Sequence, residues 1–269
     1  MSRLILIVFI TLAGCSETPS ENLTIPLKNS SNWFLDESVK QELNVPWISG
    51  DTGEFNMPEI IGGGGAVLDY DKDGDMDLYI VQGGSLGSDT VQGNSLYRND
   101  GSLFTDVTEE SGTGDFGYGM GVSTGDFNND GFVDLYITNV GANVLLKNNG
   151  DGTFDDVTEE AGVGDDGWGA SAAFADFDKD GDLDLYITNY LVWNYGLELT
   201  CYNEKGLQDY CSPTNYMAPA RDTLYRNNGD STFTDVSEIA GFSSRFGTGL
   251  GVLCQDYTSD GLIDIFVAN

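Results

Sequence analysis

The chain has 269 residues, with 44 acidic and 11 basic side chains, a formal net charge of -33, 36 glycines and no histidine. The lack of histidine excludes Ser-His-Asp and Cys-His catalytic sites, c-type haem ligation and histidine-containing zinc or iron sites within this sequence. The charge argues against a nucleic-acid partner and favours cations, while the glycine content and 12% aromatic residues indicate a β protein rich in turns.

The N-terminal residues read as an export signal. Arg3 precedes an apolar run that is about half the length needed to span a bilayer, which predicts a signal peptide over residues 1–14. The run ends in Leu-Ala-Gly-Cys, which resembles the bacterial lipobox, so we expect Cys15 to be the lipidated mature N-terminus. This predicts an exported protein anchored by lipid at the bacterial outer membrane or cell surface. An ordinary cleaved signal followed by a chance cysteine is the alternative.

Residues 15–32 are rich in Ser, Asn, Thr and Glu and are predicted to form a flexible tether. The rest of the chain, residues 33–269, consists mainly of internal repeats. An acidic block of the form DFDKDGDLDLYITN begins at Asp69, Asp126, Asp176 and Asp256. A block of the form LYRNNG follows three of them, and a block of the form FTDVTEE follows each of those. The unit of about fifty residues is in the size range of a four-stranded propeller blade.

Four short strands are expected in each unit. A small, glycine-interrupted strand precedes the acidic loop and a strand rich in β-branched and aromatic residues follows it. The LYRN and FTDV blocks supply two more strands, separated by Asn-Asn-Gly-Asp turns. The predicted fold class is therefore all-β, a β-propeller of four-stranded blades.

The acidic loops carry the candidate metal ligands. Oxygen-bearing residues at loop positions 1, 3 and 5 can converge on one cation if the loop curls, and the glycine at position 6 permits that turn. Position 7 would add a backbone carbonyl and position 9 a carboxylate. The candidate ligands are Asp69, Asp71, Asp73, Asp75 and Asp77; Asp126, Asn128, Asp130, Phe132 and Asp134; Asp176, Asp178, Asp180, Asp182 and Asp184; and Asp256, Thr258, Asp260, Leu262 and Asp264.

All-oxygen ligation favours Ca²⁺, with Mg²⁺ or Mn²⁺ as weaker contenders. An EF-hand is excluded because its acidic residue at position 12 is replaced here by Ile or Val within a strand. The metal-free alternative is a set of Asx-turns on hairpin tips. Because Thr258 replaces an Asp or Asn, we expect three strong calcium sites and a weaker fourth.

These units resemble FG-GAP or VCBS-type repeats of the integrin α-subunit propeller and, more closely, the bacterial relatives of cartilage acidic protein. The resemblance runs from about residue 34 to residue 269, and it places the family's calcium ligands on the loop residues named above. It implies a propeller of about seven blades, often followed by an ASPIC/UnbV domain that these residues do not include.

About three and a half blades are present, which predicts that the sequence is a fragment of a longer product. Residues 34–38 look like a lone outer strand of the FTDV type, which in a closed propeller would complete the last blade. A small four-bladed closure is the alternative, although it would lack one strand.

An insertion over residues 190–221 separates the third and fourth acidic blocks. It is rich in aromatic residues, and Cys201 and Cys211 are expected to form a disulfide in an exported protein. A stapled aromatic insertion is a candidate recognition loop, and a flap that caps blade surface is the equal alternative.

Three functional classes follow. We favour a lipid-anchored calcium-binding module for adhesion or for binding a glycan or protein, without catalytic residues. The alternatives are a calcium-dependent polysaccharide-active enzyme, or its propeller part, and a passive scaffold.

Overall fold

The structure, a computed structural model, describes residues 36–43, 45–51, 53–84, 86, 92–101, 103–242 and 245–269. The predicted signal peptide, the lipidation site at Cys15 and the predicted tether lie outside these residues. The chain divides into Met1–Asp36, of which only Asp36 is described, and Glu37–Asn269. Within the described ranges, no helix has the length and apolar character needed to cross a bilayer.

Glu37–Asn269 contains three four-stranded antiparallel sheets, one from each complete repeat. Blade 1 contains β1 (Gly65–Leu68), β2 (Asp77–Ile80), β3 (Ser95–Asn99) and β4 (Phe104–Asp106). Blade 2 contains β5 (Gly119–Gly125), β6 (Asp134–Asn139), β7 (Gly141–Asn148) and β8 (Phe154–Asp156).

The third repeat is interrupted between its second and third strands. It begins with β9 (Gly169–Ala175) and β10 (Asp184–Asn189), and a small hairpin of β11 (Cys201–Tyr202) and β12 (Gln208–Asp209) follows within the insertion. Blade 3 is then completed by β13 (Thr223–Asn227) and β14 (Phe233–Asp235). Blade 4 consists of the two strands β15 (Gly251–Gln255) and β16 (Asp264–Ala268).

Helix is confined to short turns in the described residues. They are α1 (Thr108–Ser111), α2 (Thr158–Ala161), α3 (Pro213–Tyr216) and the 3-10 turns Met57–Ile60 and Tyr195–Leu197. The predicted all-β fold of four-stranded propeller blades is confirmed.

The first strands of successive blades lie side by side, since β1 contacts β5, β5 contacts β9 and β9 contacts β15. Glycine makes this approach possible: a Cβ atom at Gly64 would lie 2.9 Å from the Cα of Gly121. The predicted small innermost strands are therefore a consequence of how closely neighbouring backbones approach.

The core lies between blades and follows the two-residue period of the strands. In β6, Leu135 and Ile137 pack against Tyr79 of blade 1, whereas Tyr136 packs in the cluster that contains Leu185 of blade 3. The second strand of blade 2 thus buries one face toward blade 1 and the other toward blade 3.

The predicted outer strand over residues 34–38 is not observed where the structure describes it. Residues 38–42 form a turn closed by hydrogen bonds from the Gln41 N–H to the Glu37 carbonyl (2.8 Å) and from the Leu43 N–H to the Ser38 carbonyl (2.8 Å). The Gln41 carbonyl accepts a hydrogen bond from the Phe104 N–H at 3.0 Å, which places this turn beside β4 of blade 1. Local turn formation therefore replaces the strand that the short FTDV-like pattern suggested.

Candidate metal centres

Each acidic loop joins the first and second strands of a blade and turns through two left-handed residues. Position 4 holds a non-glycine residue with φ between 56° and 65°, and position 6 holds glycine with φ between 84° and 98°. The position 4 residues are Lys72, Asn129, Lys179 and Ser259. The glycine is needed here because other residues rarely adopt such a φ.

Two hydrogen bonds fix the curl of every loop. The glycine N–H donates to the position 1 aspartate, as from Gly74 to Oδ2 of Asp69 at 3.2 Å. The N–H of position 2 donates to the position 9 aspartate, as from Tyr70 to Oδ2 of Asp77 at 3.0 Å. The same pairs recur in the other three loops at 2.8 to 3.2 Å. The aspartates at positions 1 and 9 therefore have two roles: they are candidate metal ligands, and they hold the loop backbone in place.

Loops 1 and 3 bring three carboxylates together. Oxygen atoms of Asp69, Asp71 and Asp77 all lie within 4.8 Å of one another, and so do those of Asp176, Asp178 and Asp184. Unneutralised carboxylates at this separation repel by roughly 1 kcal/mol per pair even in bulk water. In loop 1, Oδ1 of Asp69 is buried and accepts no hydrogen bond from the described residues. A hard cation with oxygen ligands fits both features, because it neutralises the carboxylates and gives that oxygen a partner.

The position 5 aspartates lie outside these groups. Their Oδ1 atoms accept the N–H of position 7, at 2.8 to 3.0 Å. The position 5 residues are Asp73, Asp130, Asp180 and Asp260, and the position 7 residues are Asp75, Phe132, Asp182 and Leu262. These hydrogen bonds fix the shape of the loop. The residues at positions 5 and 7 do not belong to the groups of three carboxylates that positions 1, 3 and 9 form in loops 1 and 3.

Loops 2 and 4 form no group of three converging acids in the described part of the chain. In loop 2, position 3 is an amide, and Nδ2 of Asn128 donates to Oδ2 of Asp130 at 2.9 Å. In loop 4, the Thr258 N–H donates to Oδ2 of Asp264 at 2.9 Å. The remaining predicted ligands of these loops, Asp126, Asp134 and Asp256, keep the backbone hydrogen bonds described above.

The position 9 aspartates of blades 1 to 3 are buried at the strand end, with exposed fractions of 0 to 2%. Burial disfavours the charged form and raises the pKa of Asp77 and Asp184, and it raises the pKa of Asp134 to about 7. Backbone N–H groups act in the opposite direction, including that of Asn148, which donates to Oδ1 of Asp134 at 2.8 Å. A cation bound beside these groups would favour the ionised carboxylates.

A set of contacts between blades was not expected from the sequence. Nδ2 of Asn148 in blade 2 donates to the Tyr70 carbonyl in loop 1 at 2.8 Å, and Asn227 in blade 3 donates likewise to the Phe127 carbonyl in loop 2 at 2.8 Å. Both asparagines end an LYRN-type block, so their constant place in the repeat is the signal that could have revealed the contact.

Neighbouring loops also touch through position 4. Nδ2 of Asn129 in loop 2 donates to Oδ1 of Asp182 in loop 3 at 2.7 Å, and Nζ of Lys72 in loop 1 lies 3.9 Å from the ring centroid of Phe132 in loop 2. The loops therefore form one continuous row along blades 1 to 3.

The insertion covers part of the hydrophobic core and lies beside a cleft. Cys201 and Cys211 form the predicted disulfide. Glu198 links the insertion to the 3-10 turn that begins at Met57. Its Oε2 accepts hydrogen bonds from Nε1 of Trp193 (2.7 Å) and from the Met57 N–H (3.1 Å). Trp193 packs against the buried Trp168 with ring centroids 5.8 Å apart.

The cleft beside the insertion has a volume of about 480 Å³. Its lining includes Trp193, Arg221, Phe242, Asp166 and Glu238. Elsewhere on the insertion, Tyr195 and Tyr202 are exposed. The structure therefore has features that agree with a capping flap and features that agree with a recognition loop.

A family model for FG-GAP-like repeats matches residues 69–137 and 126–187, which span the acidic loops of blades 1 to 3. Residues 69–187 thus contain two FG-GAP-like repeats. Among solved structures, an Agrocybe aegerita lectin that recognises non-reducing terminal N-acetylglucosamine is similar to this chain, with 18% identity and a TM-score of 0.31. The match covers 76% of this chain and 59% of the lectin chain, so this chain spans about three fifths of the lectin's length. A search of curated proteins found no match.

Proposed function

We propose that this chain is an exported, calcium-binding propeller module that binds a glycan or protein partner at the cell surface. The FG-GAP-like repeats and the four-stranded blades support this proposal, because they form a scaffold on which loops can present a binding surface. The observation that carries the calcium proposal is the convergence of three carboxylates in loops 1 and 3, together with the buried, unpartnered Oδ1 of Asp69.

Calcium suits this donor set because it accepts six to eight oxygen ligands in flexible geometry. In loop 1 the ligands would be Asp69, Asp71 and Asp77, joined by position 5 and the position 7 carbonyl. Loop 3 would use the same positions, and loop 2 would use an amide at position 3. Loop 4 would bind calcium most weakly, because Thr258 stands at position 3. Bound calcium would neutralise carboxylates and stiffen the loops that link strands and blades.

The exported location and the anchor are part of this proposal. The Cys201–Cys211 disulfide agrees with an oxidising compartment outside the cytoplasm. Lipidation at Cys15 would tether the module to the bacterial outer membrane or cell surface, as the lipobox-like Leu-Ala-Gly-Cys sequence suggests.

The insertion is the proposed recognition element. Aromatic rings stack on sugar rings and on apolar side chains, and exposed carboxylates accept hydrogen bonds from hydroxyl or amine groups. The cleft lined by Trp193, Phe242, Asp166 and Glu238 offers both kinds of group. A glycan or a protein segment is accordingly the proposed partner.

A calcium-dependent polysaccharide-active enzyme is the second candidate, favoured by the carboxylates that line this cleft. Among them, burial raises the pKa of Asp222, a property useful in a general acid. Release of soluble oligosaccharides from a polysaccharide panel in calcium would support the enzyme. Retention of a glycan without product would support the binding module.

Calorimetric titration with calcium tests the metal proposal. We expect binding with dissociation constants of about 0.1 to 1 mM, as in extracellular modules, and loss of one site in Asp71→Asn. Asp155→Asn is the matched control, since it removes an exposed carboxylate of a neighbouring blade without touching a loop. The proposal fails if the native chain takes up no calcium, or if both variants bind it as the native chain does.

A further inference from the structure

The cleft beside the insertion is formed by blade 3, the loop that leads into it and the insertion. All of its lining residues lie between Asp165 and Phe242, so β15 and β16 take no part in it. The lining contains five acidic residues and one basic residue, which are Asp165, Asp166, Asp222, Asp235, Glu238 and Arg221. The charge of the cleft is therefore strongly negative.

Two of these acids depart from the repeat. The segment that leads into a blade reads Gly-Asp-Phe-Gly-Tyr before blade 2 and Gly-Asp-Asp-Gly-Trp before blade 3, so Asp166 stands where Phe116 stands in the preceding repeat. Asp222 stands where blades 1 and 2 have Asn94 and Asn143. In all three blades Oδ1 of this residue accepts the same backbone hydrogen bond, at 2.8 to 2.9 Å, so the blade does not require an acid here. The two additional charges are specific to the repeat that carries the insertion.

Two buried residues of the cleft lining each have a polar atom without a partner. Trp168 is 1% exposed, and its Nε1 donates to no described residue. Asn189 is 4% exposed; its Nδ2 donates to Asp165 at 3.0 Å, and its Oδ1 accepts from no described residue. This oxygen faces Gly167, where a Cβ atom would lie only 2.6 Å from it, so a side chain at residue 167 would cover it. The lining therefore holds one free donor and one free acceptor.

The equivalent positions in blade 2 show which of these atoms is particular to blade 3. Tyr118 stands where Trp168 stands, and its hydroxyl donates to the Ser49 carbonyl at 2.6 Å. Asn139 stands where Asn189 stands, and its Oδ1 is also without a partner among the described residues. The unpartnered indole N–H is thus what blade 3 adds. Because a buried donor without an acceptor is costly, a ligand that accepts from it would offset that cost.

These groups together select the chemistry of the ligand. The carboxylates favour a cation over a neutral molecule. The rings of Trp193 and Phe242 can pack on a sugar ring or lie against an ammonium group. Lysine and arginine side chains have only donors, so a basic side chain cannot pair with Nε1 of Trp168. An amino sugar can satisfy both needs, because its ammonium donates and its hydroxyl oxygens accept.

We propose that the cleft binds a glycan that carries free amino groups, such as an oligomer of glucosamine. An ammonium group pairs with the carboxylates of Asp166 and Asp222, a sugar ring packs on Trp193, and a sugar oxygen accepts from Trp168. This inference rests on the proposed function, since it names the class of glycan for the same cleft. The formal net charge of -33 also attracts a cationic glycan at long range, so binding should weaken as salt is added.

Calorimetric titration of the full chain with a glucosamine tetramer, in calcium and at about pH 6, is the test. The N-acetylated tetramer is the matched ligand, because acetylation removes the charge and keeps the sugar rings. We expect the amino form to bind at least about tenfold more tightly than the N-acetylated form. The difference should become smaller at high ionic strength.

Two protein variants locate the site. Asp166→Asn and Asp222→Asn should each weaken binding of the amino tetramer about tenfold or more, without changing the affinity for the N-acetylated tetramer. Asp155→Asn is the control, since it removes an exposed carboxylate of blade 2 that does not line the cleft. A thermal melt of each variant checks that it is folded, and Asp166 is exposed, so its substitution should leave the fold intact.

The inference is overturned if the N-acetylated tetramer binds as tightly as the amino tetramer, a result that would leave the proposed binding of glycans standing. It is also overturned if a tetralysine peptide binds as tightly, because charge alone or a basic protein segment would then account for the binding. Equal effects of Asp155→Asn and the cleft variants would overturn it as well. Binding of neither tetramer does the same, whereas the calcium titration described above bears only on the metal proposal.

Discussion

Asn148 joins two candidate metal loops by hydrogen bonds to Asp134 and Tyr70. Its backbone N–H donates to Oδ1 of Asp134 in loop 2, and its Nδ2 donates to the Tyr70 carbonyl in loop 1, each at 2.8 Å. Asn148 is 0% exposed, so neither loop can replace these bonds with water. The blades are therefore connected by polar contacts at the loops as well as by the apolar core.

Asn148→Ala should destabilise the fold, because it leaves the buried Tyr70 carbonyl without its donor. We expect a loss of about 1 to 3 kcal/mol in the free energy of unfolding, measured by urea denaturation in calcium. Asn149→Ala is the matched control, since Asn149 is exposed and its side chain bonds only Thr153 within the same turn. Equal effects of the two substitutions would show that the contact between blades contributes nothing.

Removal of calcium should lower the melting temperature. A cation that binds only the folded chain stabilises it by about 2.7 kcal/mol per site at a concentration of 100 times its dissociation constant. Differential scanning calorimetry with added EDTA and then with excess calcium measures the shift and its reversal. An unchanged melting temperature in EDTA would contradict the ligand assignment in loops 1 and 3.

Asp222 should make stability depend on pH. Burial raises its pKa above the usual 3.8, although hydrogen bonds from the Asn189 N–H and the Tyr186 hydroxyl act in the opposite direction. A carboxyl with a raised folded-state pKa contributes stability that is present below about pH 4 and is lost as the pH rises through the folded-state pKa. Asp222→Asn should therefore gain stability relative to the native chain as the pH rises from 4 to 7.

Urea denaturation of both proteins across this pH range provides the comparison for Asp222. The difference between them isolates this carboxyl, because the loop carboxylates titrate in both proteins. The equivalent residues of blades 1 and 2 are Asn94 and Asn143, whose Oδ1 atoms accept the same backbone bond at 2.8 Å, so the amide is compatible with the site. A difference that stays constant with pH would contradict the assignment.

Glu198→Ala should loosen the insertion while leaving the blades folded. The change removes the acceptor of the Trp193 indole and the Met57 N–H, and that of the Tyr216 hydroxyl. We expect faster proteolysis within the insertion and a shift of tryptophan fluorescence to longer wavelength. Glu204→Ala, an exposed acid in the same insertion, should change neither measurement.

The repeat sequence was sufficient to predict the blades, because strand alternation, turn glycines and acidic loops are local patterns that recur in phase. The loop curl was predictable for the same reason: glycine at position 6 and aspartates at positions 1 and 9 meet within one short segment. The disulfide followed from two cysteines in a chain whose N-terminal sequence predicts export.

The contacts between repeats could not be read from the sequence, since they join residues 50 to 100 positions apart. Examples are the Asn148 bond to Tyr70 and the Asn129 bond to Asp182. The bond from the Met57 N–H to Glu198 in the insertion spans 141 positions and depends on the tertiary structure in the same way. The same holds for residues 36–38, where a nearby turn outweighed a weak strand pattern.

The sequence alone determined the strand order, the loop chemistry and the charge, because these depend on neighbours along the chain. Only the tertiary structure decided that loops 1 and 3 bring three carboxylates within 4.8 Å and that Oδ1 of Asp69 is buried without a partner. Burial and side-chain convergence of this kind arise only when separate strands pack together.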